Sequence, residues 1–158
     1  MSYSFNGRFA HYAYALPNVT YTVNTNVDAG DSNIGDGVCQ TTTGHCSLRA
    51  AIQEANASFL ESTIILPTGS YDITLEGKNE DSAVSGDLDI LSHITLQGED
   101  KATTIIDANQ IDRAIHVQDS GDLTISNVTI TNGTMMGMTQ QQCLNHHEQH
   151  LNWQLGSK

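Results

Sequence analysis

The sequence predicts a mainly β fold: a short parallel β-helix of about three coils, with a cap helix before the coils and a second helix after them. Charged residues make up 15% of the chain, and Thr, Ser, Asn and Gly, which suit strands and tight turns, supply most of its polarity. Apolar β-branched runs alternate with Gly/Asp/Asn turns from residue 63 to 134. Similar units follow one another, which indicates stacked coils rather than one meander.

Three stretches of similar build supply the coils: TIILPTGSYDITLEG, GDLDILSHITLQGEDKATTIIDA and RAIHVQDSGDLTISNVTITNGT. GDLDI at 86–90 recurs as GDLTI at 121–125, and ITLQG (94–98) and ITNGT (130–134) both end a strand pattern on a glycine turn. A single coil cannot bury its apolar face, so we expect Ile, Leu and Val of successive coils to align in columns. An antiparallel sandwich is the alternative, and the lack of two-residue hairpin signals between alternating runs argues against it.

The length of 158 residues fits one domain. We expect an N-terminal arm (1–19), a strand, loop and cap helix (20–62), the coils (63–134) and a C-terminal helical tail (135–158). Ser47 is placed to cap the first helix, which should end near residues 56 to 59. Its apolar stripe has the helical spacing i, i+3, i+4, i+7 and consists of Leu48, Ala51, Ile52 and Ala55.

Charge and hydropathy exclude several classes of partner. The 18 Asp and Glu against 6 Lys and Arg give a net charge of -12, so the molecule repels phosphate backbones, anionic lipid and acidic polysaccharide. We therefore expect no nucleic-acid partner. No apolar stretch approaches the roughly 20 residues that cross a bilayer. The start of the chain lacks the apolar core of a signal peptide, so an export signal, if one exists, is not visible in this chain.

Two of the three cysteines lie close together, as Cys39 and Cys46 in GVCQTTTGHC, and Cys143 stands apart. We predict that the first two form a disulfide. Such a bridge implies an oxidising compartment, whereas two reduced thiols in the cytosol are the alternative.

Residues 46–56, CSLRAAIQEAN, carry a motif that resembles the CSLREA domain, which opens many bacterial right-handed parallel β-helix proteins. The later pieces TIILP, GSY, GDLDI and TIIDA are similar to those that follow the motif in that family, so the resemblance covers about residues 20 to 134. It implies a right-handed parallel β-helix in an exported or surface-anchored protein, and it implies no enzymatic chemistry. Ala50 stands where the family motif has Glu, which removes one half of a capping box with Ser47. The chain also leaves the pattern after about three coils, so its last coil needs a cover.

The Gly/Asp-rich loop contains the first candidate metal ligands. Asp28, Asp31, Asn33 and Asp36 crowd this loop, and several hard oxygen atoms on a flexible loop are what Ca²⁺ requires. Their spacing is one residue off the EF-hand pattern and the closing Glu is missing. The sequence favours a cluster of turn residues, with a Ca²⁺ site at Asp28, Asp31 and Asp36 as the alternative.

The tail contains a second candidate set, C-x2-H-H-x2-H, formed by Cys143, His146, His147 and His150. On a helix, Cys143 and His147, or His146 and His150, lie one turn apart, as Zn²⁺ ligands on one face would. Histidine-rich tails are also often solvated faces or remnants of expression tags, and that alternative stays open.

Candidate catalytic groups have ordinary structural explanations. Carboxylates at strand ends could perform glycoside hydrolysis, but Asp at a turn entry is common structure; the set comprises Asp72, Asp87, Asp89, Asp107 and Asp112. We expect Arg49 to hold the adjacent loop through carboxylate or carbonyl groups. His93 and His116 are expected on the surface of the coils rather than as catalytic bases.

These observations predict a non-catalytic structural or interaction module of a secreted or cell-surface protein, without a required cofactor. Because the last coil is open and the tail has an apolar stripe, we expect a homo-oligomer formed through the open β-helix end or the C-terminal tail. The alternative is a carbohydrate-binding or carbohydrate-active β-helix fragment, with glycans as ligands.

Overall fold

The structure, a computed structural model, describes residues 18–77 and 80–134. The predicted tail helix (135–158) and most of the predicted arm lie outside the described residues. Within the described part, nine strands and one helix follow in this order: β1 (Val19–Thr22), α1 (Leu48–Ala57), β2 (Ser62–Leu66), β3 (Gly69–Asp72), β4 (Leu88–Ile90), β5 (His93–Gly98), β6 (Thr104–Asp107), β7 (Ile115–Val117), β8 (Asp122–Ser126) and β9 (Thr129–Thr131). The predicted mainly β class and the predicted cap helix are confirmed.

Each pairing between these strands is parallel. The strands form one sheet in the order β1-β2-β5-β8, a second in the order β3-β6-β9 and a third made of β4 and β7. The chain therefore visits the three sheets in turn, through β2, β3 and β4, and then repeats the same order through β5, β6 and β7. Parallel neighbours require such crossover connections, because a tight hairpin joins antiparallel strands.

The register aligns apolar residues of successive strands. Ile64 of β2 lies beside Leu96 of β5, and Leu96 lies beside Ile125 of β8. Ile64 and Leu96 are at most 1% exposed, and burying an aliphatic side chain of this size contributes about 1.5–3 kcal/mol. The expected columns of aliphatic side chains are thus present in the described sheets.

Two details of the predicted columns are wrong. The segments 86–90 and 121–125 do not stack on each other, since β4 pairs with β7 while β8 pairs with β5. A strand that follows a glycine turn is a local signal that recurs along the chain, whereas the pairing of two strands depends on the number of residues between them. The prediction that the Ile, Leu and Val residues of these stretches lie in the columns also fails for Ile65 and Ile105, since the buried members of their Ile-Ile pairs are Ile64 and Ile106. Two adjacent isoleucines leave the alternation ambiguous.

Helix α1 begins as expected at Ser47, whose side chain accepts a hydrogen bond from the Ala50 amide. It packs against β1, β2, β4 and β5. Its buried residues include the predicted apolar stripe and also three long polar side chains: Arg49, Gln53 and Glu54. Helix α1 is therefore enclosed on more than one face, which an amphipathic stripe alone does not predict.

Candidate functional site

Arg49 is the most heavily bonded polar side chain of α1. Its side chain has no exposed surface, and its Nε lies 2.6 Å from Oδ1 of Asp28. Its two terminal nitrogens donate to main-chain carbonyl groups of the segment before β4, those of Ala83, Gly86 and Asp87. The expectation that Arg49 holds the adjacent loop is confirmed, and it extends to a second loop that the sequence did not connect with it.

Gln53 and Glu54, one helical turn further, also bind main-chain groups. Gln53 Oε1 accepts from the Asp31 amide at 2.7 Å, and Gln53 Nε2 donates to the Ala83 carbonyl at 2.9 Å. Glu54 accepts from the amides of Gly35 and Gly37 at 2.6 and 2.8 Å. Helix α1 therefore clamps the loop 28–44 and the segment 80–87 onto the strands.

The Asp28 carboxylate has four hydrogen-bond donors around it. Besides two nitrogens of Arg49, it accepts from the amides of Thr74 and Leu75 at 2.8 and 2.9 Å. Burial by itself would raise the pKa of Asp28, but these hydrogen bonds and the Arg49 charge outweigh it and hold that pKa below its usual value of 3.8. Asp28 is thus a charged structural anchor.

Each of the three aspartates of the candidate Ca²⁺ site accepts hydrogen bonds from a different set of donors. Asp31 accepts from the amides of Asn33 and Gln40, and Asp36 accepts from the Val38 amide and the Asn33 side chain. Two of these bonds, from the Asn33 amide to Asp31 and from the Val38 amide to Asp36, are the local side-chain-to-backbone bonds of turn residues. The geometry accords with the turn-cluster interpretation, and Ca²⁺ binding at this loop stays a prediction.

The predicted disulfide is formed, with Cys39 and Cys46 bonded to each other across the short Thr/Gly loop. Cys46 lies directly before the N-cap Ser47, so the bridge ties the loop to the start of α1. The other candidate metal ligands, Cys143, His146, His147 and His150, lie outside the described residues.

A different group of metal-ligand atoms comes together on the sheet formed by β4 and β7. Among residues 18–77 and 80–134, Asp81, Asp89 and His116 form one group of three whose ligand atoms all lie within 4.8 Å of one another. His116 Nδ1 lies 3.0 Å from Asp89 Oδ1 and 3.9 Å from Asp81 Oδ1. Gln118 lies beside them, with its Nε2 in contact with all three.

Sequence reasoning placed Asp89 at an ordinary turn and His116 on the surface of the coils, and it did not join them. In the structure Asp89 is fully buried and His116 is 30% exposed in its side chain. A signal was available in the sequence, since each residue stands between two apolar ones, in Leu-Asp-Ile and Ile-His-Val. What was lacking was the register that sets these two strands side by side.

Asp87 lies next to this group and is also buried. Its Oδ2 accepts from Arg113 Nε at 2.7 Å. Burial raises the pKa of Asp87 above 3.8, and the charges of Asp89 and Asp112 add to this, while the hydrogen bond and charge of Arg113 oppose it. Asp87 and Asp28 are therefore buried carboxylates whose pKa values are displaced in opposite directions.

Comparison of the chain with protein-family models, with curated proteins and with solved structures finds no match. Within the described residues, no helix has the length and apolar character needed to cross a bilayer.

Proposed function

We propose that this chain is a non-catalytic capping and assembly module: the N-terminal cap and first coils of a right-handed parallel β-helix of the CSLREA type, in an exported or cell-surface protein. The observation that carries this proposal is the bonding of the polar side chains of α1, the helix that contains the CSLREA-like motif. Arg49, Gln53 and Glu54 are buried and bonded to the main chain of two loops. Groups committed in this way stabilise a fold and are not free to act on a substrate.

The order of the strands supports the β-helix. Coils that stack in one direction return to the same sheets in the same sequence, as β2, β3 and β4 and then β5, β6 and β7 do here. Crossovers between parallel strands of one sheet are right-handed in about 98% of cases. The proposed hand follows from that rule and from the resemblance of residues 46–56 to the CSLREA motif.

The disulfide supports an extracellular location. Stable disulfides form in oxidising compartments and are rare in reducing ones. The Cys39–Cys46 bridge closes a short loop at the start of α1 and so reinforces the cap. Stabilisation of this kind is useful to a small module outside the cell.

The last strands support self-association. Within 18–77 and 80–134, β7, β8 and β9 each pair on one side. These strands carry aliphatic side chains that are 38–45% exposed: Val117, Ile125 and Ile130. An unpaired strand edge with apolar side chains invites another chain, and we propose that a second copy of this chain covers it.

Sedimentation velocity over a dilution series through the micromolar range tests the assembly part of the proposal. The experiment uses a Cys143→Ser background, which removes intermolecular disulfides through that residue. We expect a concentration-dependent oligomer that Ile125→Lys combined with Ile130→Lys converts to a monomer. The matched control is Val27→Lys combined with Val38→Lys, since these valines are also exposed but lie in the first loop; it should leave the oligomer intact. A monomer at every concentration would contradict self-association.

A glycan screen tests the non-catalytic part of the proposal. Neutral and acidic oligosaccharides are incubated with the protein, with and without Ca²⁺, and reducing ends and unsaturated products are measured. We expect no turnover above a heat-denatured control. Saturable turnover would overturn the proposal in favour of a carbohydrate-active β-helix, and saturable binding without turnover would favour a carbohydrate-binding one.

A further inference from the structure

The register of the smallest sheet builds a group of metal ligands. Asp89 of β4 is the direct neighbour of His116 of β7. Leu88 and Ile90, on either side of Asp89, are core residues, so the pleat turns the Asp89 side chain to the opposite face. Gln118 follows His116 by two positions, and Asp81 reaches the same point from the segment before β4. Two strands and one loop thus converge on a single point.

The Gln118 amide nitrogen contacts all three ligand atoms of this group. Gln118 Nε2 lies 3.0 Å from Asp81 Oδ1, 3.2 Å from Asp89 Oδ1 and 3.1 Å from His116 Nδ1. When the imidazole proton is on Nδ1, His116 donates to Asp89 Oδ1 at 3.0 Å, and the two hydrogens of Gln118 Nε2 go to Asp81 and Asp89. The group is thus hydrogen-bonded, and its three ligand atoms lie within 4.8 Å of one another.

A cation between these atoms meets one lone pair from each of the three residues when the imidazole carries its proton on Nε2. We propose that Asp81, Asp89 and His116 bind one transition-metal dication, with Zn²⁺ the best match, between their three ligand atoms and close to the present position of the Gln118 amide nitrogen. One imidazole nitrogen and two carboxylate oxygens form an N/O set of the kind that Zn²⁺ accepts. The Gln118 side chain rotates away when the ion enters.

The distances fit an ion of this size. Zinc bonds of about 2.0–2.2 Å in a tetrahedron hold ligand atoms about 3.3–3.6 Å apart. His116 Nδ1 lies 3.0 Å from Asp89 Oδ1 and 3.9 Å from Asp81 Oδ1, and the two carboxylate oxygens lie within 4.8 Å of each other, so shifts of up to about an ångström, mainly of the exposed Asp81, bring the three atoms to this spacing. The net charge of -12 raises the local concentration of cations around the molecule.

The exposure of the side chains increases from Asp89 through His116 to Asp81, as expected for a site that is open on one side. The Asp89 side chain has no exposed surface, while that of Asp81 is 72% exposed. Asp89 is held in place, since its Oδ2 accepts from the Ala83 amide at 3.0 Å and Asn56 of α1 donates to its carbonyl. The ion can enter from the Asp81 side and keep a water molecule as its fourth ligand. Bound there, it ties the loop at Asp81 to β4 and β7.

Isothermal titration with Zn²⁺ at neutral pH tests the site in the full-length chain. The background carries Cys143→Ser, His146→Gln, His147→Gln and His150→Gln, because the tail is itself a candidate zinc site. We expect one ion per chain, with affinity reduced at least about tenfold by Asp81→Asn and by His116→Gln; even loss of a group outside the coordination sphere typically reduces metal affinity by that much.

The matched control is His93→Gln. His93 faces Asp122 across neighbouring strands, with Nδ1 3.7 Å from Oδ2, but among the described residues this pair has no third ligand. The control should bind Zn²⁺ with unchanged affinity. Circular dichroism checks that each variant is folded, and Asp81→Asn keeps the test valid if His116→Gln fails to fold, because Asp81 is exposed. No binding in this background, or binding that Asp81→Asn leaves unchanged, would overturn the proposal.

Discussion

Replacing Arg49 by Met should strongly destabilise the protein. Met has a similar length and fills much of the same space, so the substitution removes mainly the charge and the donors. It leaves the Asp28 carboxylate, 6% exposed in its side chain, without its cation. It also takes a donor from the carbonyl groups of Ala83, Gly86 and Asp87.

The expected size follows from the burial of the pair. Removing one partner of a buried ion pair costs about 3–5 kcal/mol, since the other charge stays buried and uncompensated. Whole domains are stable by about 5–15 kcal/mol, so Arg49→Met should remove a large part of the total. At about 2–4 °C per kcal/mol for a domain of this length, the melting temperature should fall by about 6–20 °C.

Urea unfolding followed by far-ultraviolet circular dichroism, without reductant, measures the loss. Arg113→Met is the matched control: Arg113 Nε binds Asp87 at 2.7 Å, a similar distance, but the Arg113 side chain is 38% exposed. Asp87 is also buried, but solvent screens Arg113, and the raised pKa of Asp87 lets its carboxyl group take up a proton more easily once the cation is gone. We therefore expect a loss on the order of 1 kcal/mol. In the double variant Arg49→Met/Asp28→Asn, part of the stability should return. A loss below about 1 kcal/mol for Arg49→Met would refute the reasoning from burial.

Two further predictions concern the disulfide and the dependence of stability on pH. Replacing Cys39 and Cys46 together by Ser should lower the free energy of unfolding by about 2–3 kcal/mol in the chain-entropy model for a loop of this length, which urea unfolding would measure; an unchanged midpoint would contradict a stabilising bridge. The pKa of Asp28 lies below 3.8, so the stability that its charge contributes is present above that pH and is lost as the pH falls through the folded pKa. The pKa of Asp87 is raised, so the protein loses stability as the pH rises from 3.8 through the folded pKa of Asp87. As the pH rises from acid to neutral, the free energy of unfolding of Asp28→Asn should therefore fall relative to that of the unsubstituted protein, and that of Asp87→Asn should rise. Urea unfolding across this pH range measures both differences, and a change in the opposite direction for either variant would contradict the prediction.

The cap helix could be predicted because its signals are local. Ser47 and the apolar stripe that begins at Leu48 fix where the helix starts and which face is apolar, and the structure agrees with both. The burial of Gln53 and Glu54 could not be predicted in this way. Their partners, the amides of Asp31, Gly35 and Gly37, lie about twenty residues away in a loop that has no periodic pattern.

The stacking of the strands was predicted in kind but not in detail. Alternation of apolar residues locates a strand, yet the neighbour of that strand depends on how many residues separate successive strands. The similar segments at 86–90 and 121–125 therefore occupy different sheets. The contact between Asp89 and His116 could not be predicted for the same reason, because it depends on the register of β4 and β7.

The central claim is that polar side chains of α1 hold the surrounding loops in place. Amide hydrogen exchange of Gly35 and Gly37 in the native protein, compared with Glu54→Gln, tests it most directly. We predict that both amides are protected in the unsubstituted protein and that at least one of them exchanges at least about tenfold faster in the variant, because Gln keeps a single neutral acceptor oxygen and hydrogen bonds to a charged group contribute about 1.5–3 kcal/mol. The Val38 amide, which is bonded within the loop to Asp36, should change little. Exchange of Gly35 and Gly37 at unprotected rates in the unsubstituted protein would contradict the claim.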